Sequence, residues 1–227
     1  LSEQKKIAFI LNSVDEVIEN TQSQIDKLQD LKKGTMNELL TQGIGHTEFK
    51  DSELGKIPKS WKVLNFQKII QSSNQGVNTA TEKVTYSAEG IKACRSNNIK
   101  ENSFDWNNKK FVNKSTYARL TNKVKPKLND VLYCNIGSNL GAATVVDTPE
   151  DFIITWNVLR ITTENNKISP YFLSLSLNSL RKELMGFATE STMPFISSKA
   201  LSKFKFRIPP LDEQKKISKV INGIGNN

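Results

Sequence analysis

No proline occurs in this chain before Pro58, and the first glycine is Gly34. Within that unbroken stretch apolar residues fall at Ile7, Leu11, Val14, Ile18, Ile25 and Leu28, with Thr21 as an interruption. Steps of four and three residues make one stripe on an α-helix, the pattern of a helix that packs along another helix. Ile10, Val17 and Leu31 widen the stripe. The spacing predicts a helix over residues 1–42. Roughly 40 residues at 1.5 Å each span about 60 Å, longer than a small domain is wide. Most of the stripe therefore needs a partner helix.

The far end of the chain repeats the start. Leu1-Ser2-Glu3-Gln4-Lys5-Lys6-Ile7 returns as Leu211-Asp212-Glu213-Gln214-Lys215-Lys216-Ile217, and seven of the first twelve positions are identical, Asn12 and Asn222 included. Apolar positions continue at Ile217, Val220, Ile221 and Ile224. Ser2 and Asp212 are the expected N-caps, because a short side-chain oxygen can accept from the open N–H groups of the first turn. The second copy is expected to stop about one turn past Ile221, where Gly223 and Gly225 disfavour a helix.

The 227 residues suffice for one large domain, or for one domain with an appended helix. A mean hydropathy of −0.44 fits a soluble globular protein. No apolar run approaches the roughly 20 residues of a membrane span, and no secretory signal is visible. The chain opens on Leu1, not Met, so it is expected to be processed or cut from something longer. Cys94 and Cys134 form no C-x-x-C pair and fit buried free thiols in a reducing, cytoplasmic compartment. His46 is the only histidine, which argues against a histidine-based metal site or triad.

The net charge of +9 is unevenly spread. Residues 1–43 carry −2, residues 211–227 carry +1, and the body, 44–210, carries +10. A basic domain attracts polyanions, because each Lys or Arg placed on a phosphate releases condensed counterions. Charge alone leaves a nucleic-acid partner and a merely basic soluble domain both open.

Gly43 and Gly45 close the helix, and Gly55-Lys56-Ile57-Pro58-Lys59-Ser60-Trp61 reads as the entry to a new domain with Trp61 as its apolar anchor. Residues 63–70 fit a short helix or a strand. Residues 71–82 are small and polar and read as an exposed loop. Residues 91–99 read as a strand running into a polar turn. Residues 104–112 mix basic and aromatic side chains, and residues 123–127 form a basic turn. Residues 130–136 and 142–146 have hairpin grammar around Gly137-Ser138-Asn139-Leu140-Gly141. Residues 152–161 read as one strong strand. Ser169-Pro170 opens a helix to about residue 185, followed by a polar loop over 186–195. A helical turn near 198–201 and a last strand over 204–208 lead to Pro209-Pro210. The fold class is α+β: a long N-terminal coiled-coil helix, one mixed α/β body and a short C-terminal helix.

No catalytic constellation emerges. The chain has no G-x-x-x-x-G-K-[ST], H-E-x-x-H or G-x-S-x-G, no cysteine–histidine metal spacing, and no N-P-P-[YF]-like tetrapeptide of the kind that holds a flipped base. A binding module is the expectation, and a nuclease lacks any recognisable site.

Pro209-Pro210-Leu211-x-Glu213-Gln214-Lys215-Lys216-Ile217 opening a helix resembles the conserved regions of type I restriction–modification specificity (S) subunits. So does Leu1-x-Glu3-Gln4-x-x-Ile7, followed by a long helix, Gly55-x-Ile57-Pro58-x-x-Trp61 and a basic α+β domain. The resemblance covers the whole chain. It implies a long helix over 1–43 that acts as spacer and docks methyltransferase (M) subunits, a target recognition domain over 44–210, and a truncated second helix over 211–227. It implies no cofactor in this chain: M supplies S-adenosylmethionine chemistry, and a restriction (R) subunit joins through the complex. One recognition domain is half of a full S subunit, so the chain is either an excised C-terminal half or a natural half-length subunit. A half subunit is expected to form a homodimer through the long helix, with Ile7, Leu11, Val14, Ile18, Ile25 and Leu28 at the interface. A coiled-coil interaction module without DNA selectivity is the alternative.

Candidates for contact with double-stranded DNA come from local chemistry, because Asn and Gln pair with adenine and Arg or Lys with guanine. They are Asn74, Gln75 and Asn78 in the first polar segment, then Arg95, Asn97 and Asn98 after a strand. Lys109, Lys110 and Lys114 are assigned to phosphates, and Ser191 and Thr192 to a late reading loop.

Overall fold

A computed structural model of the chain describes residues 1–189 and 193–225. The first helix, α1 (Ser2–Thr41), runs unbroken for 40 residues. Its N-cap is Leu1 with no side-chain cap, so Ser2 lies in the first turn and is not the cap expected. Asp212 likewise falls inside the last helix, which begins at Leu211 behind Pro209-Pro210. Only Leu40 of α1 is buried. Ile7, Leu11, Val14, Ile18, Ile25 and Leu28 all lie exposed, Leu28 by 64%. The helix stands off the domain on its last turns, and its stripe faces solvent.

The body follows in short elements. It opens with β1 (Phe49–Lys50), β2 (Ile57–Pro58), β3 (Lys62–Asn65), β4 (Ile70–Gln75) and β5 (Ile91–Cys94). Next come β6 (Ile99–Lys100), β7 (Ser103–Phe104), β8 (Phe111–Val112), α2 (Lys114–Arg119), β9 (Val131–Cys134) and β10 (Ala143–Val145). Then β11 (Phe152–Ile154) and β12 (Val158–Thr163) lead to α3 (Pro170–Ser179), α4 (Arg181–Met185) and α5 (Ser198–Lys203). The chain closes with β13 (Lys205–Ile208) and α6 (Leu211–Gly225).

An antiparallel sheet in the order β10-β9-β12-β4 divides two cores. Side chains alternate across a strand with period two. Val131, Tyr133, Leu159 and Ile161 accordingly face a first core with Phe172 and Leu173 of α3. Leu132, Cys134 and Val158 face a second core with Phe152 and Ile153 of the smaller sheet β11-β5-β8. Leu40, Trp61, Ile217 and Ile221 belong to the first core, which is how the domain grips both α1 and α6. Arg160 and Asp130 are both buried and pair at 2.6 Å, with Thr162 Oγ1 donating to the second Asp130 oxygen at 2.7 Å.

Three expectations need correction. Residues 152–161 are not one strand: β11 pairs parallel to β5, and β12 pairs antiparallel to β9 and β4. The break lies where Gly76 passes against the Thr155 carbonyl, so closely that any side chain at position 76 would collide with that backbone. Residues 71–75 are not loop but strand β4, because pairing with β12 supplies backbone partners that override low strand propensity. The helix after Ser169 breaks at Leu180 into α3 and α4. Within the basic–aromatic segment Phe104 and Trp106 stack at 5.3 Å, and both pack edge-on to Phe152.

The two ends of the domain meet at Glu213. Its Oε1 accepts from the Ile44 N–H at 3.2 Å and lies 2.6 Å from His46 Nε2, and its Oε2 accepts from Trp61 Nε1 at 3.0 Å. Gly43 has φ +72, and a Cβ there would strike this carboxylate and the rings of His46 and Trp61. Gln214, fully buried, accepts from Ser169 N at 2.8 Å and donates to the Lys167 and Pro209 carbonyls at 2.9 and 2.8 Å.

Candidate nucleic-acid interface

Residues 106–129 hold six Lys and Arg119 without a single Asp or Glu. They form β8, α2 and the turns after it, with Lys109, Lys110, Lys114, Arg119, Lys123 and Lys127 exposed. Asn113 caps α2 by accepting from Thr116 N at 2.8 Å. Lys125 sits 4.4 Å over the Tyr117 ring. Burial, and then Asp151 as hydrogen-bond partner and neighbouring charge, push the Tyr117 phenol above its usual range. Arg119 donates to the carbonyls of Glu82 and Lys83 at 2.6 and 3.2 Å and so ties this basic ridge to the loop after β4.

Strand registers bring several loop starts to one place. Thr155 N donates to Cys94 O at 3.0 Å, Val77 N to Ile154 O at 2.9 Å, and Ala93 N to Lys110 O at 2.8 Å. Cys134 pairs with Val158, and Gln75 with Leu159. The C-terminal ends of β4, β5, β9 and β11 and the start of β8 therefore share one end of the two sheets. Gln75, Asn78, Arg95, Asn97, Lys109 and Lys110 gather there, while Lys114 follows β8 at its opposite end.

Their side chains are engaged to different degrees. Gln75 and Asn135 exchange amide hydrogen bonds at 3.0 and 3.1 Å, and Gln75 also donates to the Trp156 carbonyl. Asn74 donates to Ser72 Oγ at 3.3 Å. Asn78 Oδ1 accepts from Ala80 N and Thr81 N at 3.1 and 3.2 Å, which shapes the loop. Asn98 is fully buried: it accepts from Arg95 N at 3.1 Å and donates to Asp105 O at 2.9 Å. Arg95 donates to Asn108 O at 2.7 Å. Asn97, Lys109, Lys110 and Lys114 are exposed. Ser191 and Thr192 lie outside the described residues.

Sequence patterns passed over two neighbours. Trp156, 48% exposed, stands in the turn between β11 and β12. It lines a cavity of about 370 Å³ with Asn78, Thr81, Arg119 and Thr121. Such a pocket joins an aromatic wall to hydrogen-bonding groups beside the basic ridge. A tryptophan inside a strand-like run carries no signal of exposure; only the break at Thr155 reveals it. Arg160, by contrast, is spent on Asp130 and leaves the ridge's charge unaided.

The fold and this surface define a basic α+β recognition module mounted on a long helix. A family model described as the type I restriction modification DNA specificity domain matches residues 58–227, and the chain belongs to that family. It is 29% identical over 232 residues to the type I restriction enzyme MjaVIII specificity subunit of Methanocaldococcus jannaschii, covering 100% of this chain and 54% of that protein. The crystal structure of the HsdS subunit from Thermoanaerobacter tengcongensis aligns with a TM-score of 0.65 at 14% identity, over 97% of this chain and 49% of that one. The S subunit from M. genitalium aligns with a TM-score of 0.57 at 17% identity, over 99% and 54%. At these identities the structures speak for the fold alone. The chain spans about half the length of the relatives it matches. No helix of the described residues is long and apolar enough to cross a membrane.

Proposed function

We propose that this chain gives DNA sequence specificity to a cytoplasmic type I restriction–modification complex, reading one half of a split target. The observation that carries this is the acid-free basic ridge over residues 106–129, set within a specificity-domain match over 58–227. Lys109, Lys110 and Lys114 position the domain on phosphates, contacts that hold register without reading sequence. Asn78, Arg95 and Asn97 at the shared strand ends meet base edges in this account, with Gln75 at the end of β4 and Asn74 one residue behind it. Asn98 acts indirectly, by fixing the Arg95 turn.

The chain itself performs no chemistry in this account. M subunits supply methyl transfer from S-adenosylmethionine, and an R subunit acts through the assembled complex. The α1 stripe is the docking element for M or for a second copy. Burial of each Ile, Leu or Val contributes about 1.5–3 kcal/mol, so the exposed stripe reaches the order of ten kcal/mol. That is of the same order as the roughly 4–15 kcal/mol cost of association, which burial of the stripe helps to offset.

Salt titration of the complex with M tests the proposal. Affinity for a cognate duplex should fall linearly with log salt and exceed that for a scrambled duplex at every salt concentration. Equal affinity for both duplexes would leave only a protein-interaction module.

A further inference from the structure

Trp156 is an exposed indole on a turn that the fold holds firmly. The four consecutive carbonyls from Ile154 to Asn157 all accept hydrogen bonds. Ile154 O takes Val77 N at 2.9 Å, Thr155 O takes Val158 N at 3.0 Å, and Asn157 O takes Asn135 N at 3.2 Å. Trp156 O takes the Gln75 side-chain amide. Thr155 N and Oγ1 both donate to Cys94 O, at 3.0 and 3.3 Å. Such a turn has little freedom, yet its largest side chain stays 48% exposed. An indole left in water forgoes the burial that makes aromatic side chains stabilising, which points to a contact outside the chain.

The surroundings specify that contact. Trp156 lines its cavity with an apolar wall that continues through Val77, Leu120 and Val124. Asn78 lines the same cavity. The Asn78 Oδ1 accepts from Ala80 N and Thr81 N, so its Nδ2 is left as a donor. Glu82 at the rim lies 3.9 Å from Arg119, which offsets its charge.

We infer that Trp156 and Asn78 form a reader for thymine in the major groove. This rests on the proposed DNA-reading role of the strand ends. Thymine is the base whose major-groove edge sets an acceptor, O4, beside an apolar group, the C5-methyl. The cavity offers the complement: an amide donor from Asn78 next to the apolar wall of Trp156. The adjoining ridge over 106–129, with seven basic residues and no acid, supplies the phosphate contacts that hold a duplex at this edge. Gln75 serves the reader as a positioning residue. Both of its amide hydrogens are engaged, on Asn135 Oδ1 at 3.0 Å and on the Trp156 carbonyl, and they fix the turn that carries the indole.

The test uses the full chain with its cognate M subunit and the duplex selected as its site. Each thymine of the half-site, on either strand, is replaced in turn by deoxyuridine, which lacks only the methyl group. At one position wild-type affinity should fall about fourfold, the effect of one buried methyl. Trp156→Ala should bind the thymine and deoxyuridine forms of that position equally, with every other position and the affinity for a scrambled duplex unchanged. Trp156→Phe should keep the preference, and Gln75→Ala should shrink it at that position alone. A Trp156→Ala complex that still discriminates there overturns the reader. So does a wild type indifferent to every deoxyuridine, or a half-site without an A·T pair. An equal loss on cognate and scrambled duplexes also overturns it, in favour of an indole wedged between base steps. A wild-type complex that selects no site at all overturns the DNA-reading role itself, an outcome distinct from each of these.

Discussion

The Trp61 indole N–H donates to Glu213 Oε2 at 3.0 Å, linking residues 152 positions apart. The bond ties the entry of the recognition domain to the first turn of its exit helix. The same carboxylate satisfies the Ile44 N–H, so one side chain closes the domain at the point where α1 leaves it.

Removal of that side chain should loosen the closure. Glu213→Ala leaves the Trp61 and Ile44 donors without an acceptor at a half-buried site. A buried unsatisfied donor costs about 1–3 kcal/mol, so the variant should unfold earlier by that amount in a urea titration followed by tryptophan fluorescence. Glu213→Ala unfolding together with the wild type would show that the contact contributes nothing.

The Arg160–Asp130 pair should behave as a unit. Arg160→Met leaves Asp130 buried and without its cation, a change that costs about 3–5 kcal/mol. Asp130→Asn combined with Arg160→Met should lose less than the sum of the single changes. Strict additivity in the double-mutant cycle would contradict the pairing seen at 2.6 Å.

The buried thiols predict alkaline sensitivity. Burial pushes the Cys134 thiol from 9.0 up to about 12, and Cys94 moves in the same direction for the same reason. Both raised values belong to the folded state. The stability they contribute is complete below about pH 9 and is lost as pH climbs from 9 toward 12. The slope is at most about 1.4 kcal/mol per pH unit for each thiol. Unfolding free energies at pH 8 and 10.5 should converge for Cys134→Ala relative to the wild type. Parallel slopes would rule this source out.

The phosphate and base contacts should separate by salt and sequence. Lys109→Ala, Lys110→Ala and Lys114→Ala should each weaken binding to all duplexes alike and reduce the salt slope by about 0.9. Asn97→Ala should instead cost about 1–3 kcal/mol on one base pair of the cognate site. A uniform loss with Asn97→Ala would move that residue to the phosphate class.

Much of the architecture was legible because helix periodicity and glycine punctuation are local. The 40-residue helix, the β9–β10 hairpin and the terminal repeat all follow from spacing visible in the sequence. What stayed hidden is set by distant pairing. Nothing between Phe152 and Ile161 marks the switch of sheets at Thr155, since both halves are apolar and β-branched. Nor does a polar string such as Gln71-Ser72-Ser73-Asn74-Gln75 reveal that β12 waits beside it. For the candidate interface, residue type located the basic ridge but could not separate Asn97, which is exposed, from Asn98, which is buried within the same turn.

The helix should act as a ruler between recognition domains. Seven residues inserted near Gln22–Asp26 lengthen α1 by about 10.5 Å, or about three base pairs. The preferred spacer should lengthen and the half-site remain the same. An altered half-site at constant spacer would contradict the ruler.

The most direct measurement is selection of bound duplexes from a randomised library by the full chain assembled with its cognate M subunit. The account predicts a single recurring half-site at fixed spacing, lost when Asn97 and Asn78 are both changed to Ala and retained when Lys110 alone is. A bound pool with no recurring sequence would contradict it and reduce the domain to a non-selective partner of the helix.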